Sequence, residues 1–206
     1  MARRGWGLVL VAAAVLALVS LASNVTTTSQ LEADANTLLA VRTTISKLVN
    51  AGTVWAGLAV VSGWLVRRPV HAVAAGVVAL LVALVVHYGV GSGLGMFEPS
   101  IWTDNREWWA AAVVLGGPLG LVGAIARRPD RWGVVARLVV PLAAVLEPIA
   151  GGMFTSPAII PWPSRVSSTI SGVVLVTVGA VGIVAVLVAA RKQRSSTRDR
   201  SEISHT

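Results

Sequence analysis

The sequence predicts an all-α fold: a polytopic transmembrane bundle of about six spans, with a tandem repeat of two-span hairpins. Three observations predict it. Of the 206 residues 55% are hydrophobic and only 13% charged, with a mean hydropathy of +0.76, too few charges to cover a soluble domain of this size. Those charges cluster between apolar runs of about 16 to 23 residues, near the roughly 20 that a helix needs to cross about 30 Å of hydrocarbon. Finally, "GWLVRRP" at residues 63–69 returns as "GAIARRP" at residues 123–129.

The first run, Trp6 to Ala22, follows the charged start at Arg3 and Arg4. "SLA" before Ser23 resembles a signal-peptidase site, so this run reads either as a retained span or as a cleaved signal. The longest connection, "SNVTTTSQLEADANTLLAVRTTISKLVN", comes next. Ser29 and Glu32 have capping-box spacing, and Leu31, Ala35, Leu38, Ile45 and Val49 recur at helical intervals. Two readings follow: an amphipathic helix at the membrane interface, or an outward extension of the second span. The second run, Ala51 to Val66, is short without such an extension.

Arg67, Arg68 and Pro69 separate it from the third run, Val70 to Val90, and the proline is preset for the first helical position. "GVGSGLG" at residues 89–95 reads as a helix end whose glycines permit a turn; it lacks the strand and lysine of a phosphate loop. The fourth and fifth runs, Glu107 to Ala126 and Gly133 to Met153, flank the second Arg-Arg-Pro turn. The sixth, Ser168 to Ala190, leads into a basic tail. Runs such as "AAGVVALLVALVV" do not alternate, which argues for helices against a β-barrel. Residues 1–190 thus form one transmembrane domain with repeat units at about 43–97 and 103–154, and 191–206 form a cytoplasmic tail.

Charge sets the expected orientation. With the amino terminus inside, the inner segments carry twelve basic residues: Arg3, Arg4, both Arg-Arg pairs, Arg131 and the tail. The outer ones carry four, Arg42, Lys47, Arg106 and Arg165. Both termini are expected in the cytoplasm, in a multi-pass plasma-membrane protein. Tryptophans fall near predicted span ends or in loops, where indole prefers the interface.

The sixty-residue register extends through Ala51 and Ala111, Gly57 and Gly117, Gly63 and Gly123, and Gly91 and Gly151, as a duplicated hairpin would. Copies of two spans each share one orientation, related by an axis along the membrane normal. Small residues should carry the packing: Gly116 with Gly120, Ala59 with Gly63, and the stripe Ala75, Ala79 and Ala83. Gly179 and Gly182 are expected to soften span six, and Pro118 and Pro141 to bend spans four and five.

Chemistry is sparse. No cysteine occurs, which excludes thiolate catalysis and cysteine-ligated metals. His71 and His87 lie about 24 Å apart in helical rise, too far for one haem, and no HExxH, Walker or Gly-x-Ser-x-Gly pattern occurs. No catalytic, cofactor-binding or metal site is assigned, no cofactor is expected, and nothing points to nucleic acid. Charge inside the spans is the remaining lead. Arg137 lies close enough to the inner end of span five to snorkel to the headgroups. Glu147 stands opposite His87 across the repeat offset, and equal depth in parallel repeats makes these two a candidate intramembrane polar pair, with solvated headgroup contacts as the alternative.

The segments "VNAGTVWAGLAVVSGWLVRRP" and "WWAAAVVLGGPLGLVGAIARRP", followed by a span bearing Glu147, resemble a family of small six-span actinobacterial integral membrane proteins of unknown function. The resemblance covers roughly residues 45–155 and transfers no catalytic residue. Two function classes remain: a non-enzymatic membrane or envelope interaction protein, or a small transporter or channel using the repeat interface. Partners expected are the lipid bilayer, with anionic lipids at the basic tail, and an unidentified protein or small solute.

Overall fold

The structure, a computed structural model, describes residues 2–25, 36–66 and 68–203. Ser29, Leu31, Glu32 and Ala35 lie outside them. All regular structure among the described residues is helical: α1 (Ala2–Asn24), α2 (Asn36–Val49), α3 (Gly52–Val66), α4 (Pro69–Gly93), α5 (Ile101–Asp104), α6 (Arg106–Ile125), α7 (Arg131–Ala150) and α8 (Trp162–Ile203). Among the described residues six segments are long and apolar enough to span a bilayer: Arg4–Asn24, Asn36–Val66, Pro69–Gly93, Arg106–Ile125, Arg131–Ala150 and Trp162–Gln193. The protein is a multi-pass helical membrane protein.

The second of these joins α2 and α3, so the described part of the connection, residues 36–49, extends span two, with a break at Asn50 and Ala51. Neither residue is helical, and the ladder restarts with the Val54 amide donating to the Ala51 carbonyl at 3.0 Å. At the other end of α3, Arg68 is extended (φ −83°, ψ 129°) and Pro69 opens α4. Its fixed φ and missing N–H suit a first turn, where the amide has no helical partner.

Helices α3, α4 and α6 pack closely against one another, and α1 lies on α3 and α4. Lipid tails are as apolar as leucine, so close packing must replace hydrophobic drive between helices. Glycine supplies it here. A Cβ on Gly120 would overlap the Ala72 carbonyl of α4, one on Gly76 the Gly116 carbonyl, one on Gly63 the Gly120 carbonyl, and one on Gly123 the Val60 carbonyl. The α6 glycines thus seat two neighbouring backbones, and Ala75, Ala79 and Ala83 are fully buried in the cluster that includes Ala13 and Ala17 of α1.

Helices α7 and α8 form a second unit, joined to α2 through α8 and touching α3 and α6 only lightly. The two hairpins sharing the sixty-residue offset therefore pack differently: α3 lies closely on α4, whereas α7 leaves α6 for α8. Gly179 and Gly182 seat the carbonyl and ring of Pro141, just as Gly172 seats Phe154 and Pro148. Helix α8 runs without a break past Ala190, through the basic residues, to Ile203. At about 1.5 Å per residue this helix is about 63 Å long, roughly twice the hydrocarbon thickness.

Successive spans alternate in direction, giving the bundle two distinct ends. One, the arginine end, holds the turns at Arg68 and Pro69 and at Arg127 to Pro129, and the start of α1, where Gly5 meets Leu65. The Arg127 guanidinium crosses from the α6–α7 turn, donates to the Trp64 carbonyl at 2.9 Å and lies 4.6 Å over the Trp64 ring. Arg137 reaches back to donate to the carbonyls of Arg128 (2.7 Å) and Gly133 (3.1 Å). Asp130 caps α7 by accepting from the Gly133 amide at 3.1 Å and also takes the Arg128 guanidinium. The arginine first, then the amide, hold this carboxyl below the usual carboxylate range.

Candidate functional site

The opposite end, the histidine end, gathers the buried polar groups. His87 sits in the last third of α4 and is only 8% exposed. Its Nδ1 lies 3.2 Å from the Ser20 hydroxyl and 3.4 Å from the Ala17 carbonyl, both of α1. The carbonyl can only accept, and the Ser20 proton is spent on Asn50 Oδ1 at 2.5 Å. Both partners therefore call for the hydrogen on Nδ1, which in the neutral ring leaves Nε2 as a lone-pair acceptor.

Asn50 owes its position to the break between α2 and α3. Its amide nitrogen donates to the Ser46 carbonyl at 2.9 Å and to Asn24 Oδ1 at 3.2 Å. One side chain thus ties the end of α1, the end of α2 and, through Ser20, the histidine of α4. An unpaired amide at this depth costs about 1–3 kcal/mol, so the network fixes how these three helices meet.

An aromatic roof covers the histidine. After α4 ends, Gly95 adopts φ 70° and turns the chain back, so that Phe97 stacks on His87 at 5.6 Å. Tyr88 meets the edges of His87 and Trp102, at 5.3 and 5.9 Å, and touches Trp109; Trp102 and Trp109 stack at 5.9 Å. Gly91 makes room for the Phe97 ring, which a Cβ there would displace. Beside the histidine lies a cavity of about 100 Å³ lined by Asn50, Trp55, Leu84, His87, Tyr88 and Trp108. A second of about 120 Å³ shares Trp55, Leu84 and Trp108 and continues along Leu80, Ala112, Leu115 and Leu119.

Glu147 does not pair with His87. Its carboxylate caps α3, accepting from the amides of Gly52 (2.7 Å) and Thr53 (2.8 Å) and from the Thr53 hydroxyl. The first amides of a helix lack internal partners and carry the positive end of its dipole. They offer a carboxylate at the end of α7 more than one imidazole would. Moreover, α7 is not packed on α4, so equal depth in the repeat does not bring the two side chains together. Arg137 lies at the arginine end, remote from both.

Sequence reasoning missed three contributors: Ser20, Asn50 and Lys47. The Lys47 ammonium donates to the Ser164 carbonyl (3.0 Å) and to the hydroxyls of Ser167 (3.0 Å) and Ser168 (2.6 Å), clamping α2 onto α8. Ser171 adds a hydroxyl near the Thr44 carbonyl, at 3.4 Å. The spacing of Ser164, Ser167, Ser168 and Ser171 marks one helix face and was a readable signal. Ser20, 67 residues from its histidine partner, left none. No cluster of three or more His, Asp or Glu that could hold a metal occurs among the described residues. No protein-family model, no curated protein and no solved structure matches the chain.

Proposed function

We propose that this is a non-enzymatic plasma-membrane protein, both termini cytoplasmic, that works by holding another membrane-spanning partner against its α7–α8 face. One observation carries the reading. In the most apolar window of α8 only 11% of residues are buried within the chain, against 39% in α4. A helix meant only to complete this bundle would bury a seam on the core; α8 instead touches α7 and α2 and leaves Ala180, Val184, Ala185 and Val188 uncovered. Small residues suit close approach of a second helix. The twelve-to-four distribution of basic residues supports the orientation, and the five basic residues after Ala190 extend α8 toward an anionic leaflet.

The channel reading is the weaker one. The α3–α6 interface, where a pathway between repeats would run, is closed toward the arginine end by backbone contacts at Gly63, Gly120 and Gly123, so the slot at its other end does not continue through the bundle.

Photo-crosslinking residues placed singly along α8 in native membranes test the proposal. Discrete adducts are expected with helical periodicity at Val181, Val184, Ala185 and Val188, and not at Val11 or Leu18, which are 60% and 47% exposed on α1. Equal yields on α1 and α8 would remove the partner face.

A further inference from the structure

We propose that the slot beside His87 binds a single-chain membrane amphiphile whose head carries a hydroxyl group. The hydroxyl donates to Nε2 of His87, and the chain lies between α3 and α6. This site is separate from the α7–α8 face and stands whether or not that face has a partner.

The chemistry of the slot selects the ligand. Asn50 is fully engaged: Ser20 donates to its Oδ1, and its Nδ2 donates to Ser46 and Asn24. His87 Nδ1 is engaged with α1. Among the described residues Nε2 has no partner, yet it is not one of the sealed polar atoms left without one, which are Arg42 Nε, Ser92 Oγ and Arg165 Nε. It is therefore a reachable acceptor on a side chain more than nine-tenths buried, and only a donor satisfies it. Tyr88 lines the same compartment with a hydroxyl that has no hydrogen bond among the described residues. An alcohol, both donor and acceptor, serves the two together.

The shape selects a chain. Cavities of about 100 and 120 Å³ far exceed the roughly 10–15 Å³ that one water needs. They fall short of the roughly 300–1,000 Å³ typical of pockets for compact small molecules. The second compartment is apolar, and from Trp108 to Leu119 it follows α6 for about 16 Å, roughly one leaflet's depth of hydrocarbon. Trp108 and Leu115, 52% and 54% exposed, stand at its margin on a membrane-spanning helix, so a lipid enters sideways without crossing water.

The test uses the purified full chain in mixed micelles and two probes: a long-chain primary alcohol with a mid-chain diazirine, and its methyl ether, which has the same chain and no donor. After irradiation, peptides from α3 and α6 should carry about tenfold more alcohol than ether, the ratio set by one net hydrogen bond. Ala111→Leu, which enlarges a residue lining the apolar compartment, should abolish that labelling. His87→Asn keeps a donor where Nδ1 stands and removes Nε2, so the ratio should fall toward one while the melting midpoint stays near that of the unaltered chain. If His87→Asn does not fold, the ratio in the unaltered chain and the Ala111→Leu result decide. Equal labelling by alcohol and ether, labelling spread evenly over α1 and α8, no labelling, or labelling indifferent to Ala111→Leu would each overturn the proposal.

Discussion

Replacing Gly120 by alanine is expected to destabilise the bundle by at least about 3 kcal/mol, the upper range for an overpacked core. A Cβ there overlaps the Ala72 carbonyl and comes within 3.1 Å of the Gly76 nitrogen. Both are backbone atoms, so α4 must move as a body. The same shift would loosen Gly63, which rests on the Gly120 carbonyl from α3. Two controls separate packing from helix propensity. Gly117→Ala meets only valine side chains, the nearer at 3.2 Å, which can yield, and should cost far less. Gly7→Ala meets nothing within 4 Å and should be neutral or gain up to about 1 kcal/mol, since alanine is the better helix former. Equilibrium unfolding in mixed micelles measures all three, and similar midpoints for Gly120→Ala and Gly7→Ala would refute the glycine-sealed core.

The second large effect belongs to Glu147. Glu147→Ala should cost about 2 kcal/mol, as expected for a charge-assisted cap of a helix start. Glu147→Gln should cost roughly half, since the amide keeps one acceptor oxygen but loses the charge that the α3 dipole favours. Because Glu147 and His87 touch different partners, Glu147→Gln and His87→Ala should add within about 0.5 kcal/mol. A coupling of 1 kcal/mol or more would mean that the two side chains meet after all.

The contrast between these cases shows what a sequence of this kind makes legible. The six spans could be read because a bilayer imposes length and hydropathy on each helix separately: the first five runs lie within a few residues of α1, α3, α4, α6 and α7, whereas α8 outruns the sixth at both ends. Gly63, Gly116 and Gly120 could be read because close helix approach demands glycine whatever the partner. Partner choice could not. Glu147 had two plausible takers at similar depth, and only the way α7 leaves α6 for α8 decides for the amides of α3. Asn50 looked like the end of a loop, and its role emerges only when α1, α2 and α4 converge on it.

Cysteine accessibility tests the six-span arrangement most directly, and the natural chain, which contains no cysteine, needs no prior substitution. Pro69 and Pro129, at the arginine end, and Ser100 and Ile159, at the histidine end, are all exposed, so single cysteines there are tolerable. In intact cells an impermeant thiol reagent should label the cysteines at 100 and 159 and leave those at 69 and 129 untouched until the membrane is opened. Labelling of 69 together with 159 before the membrane is opened would contradict the arrangement.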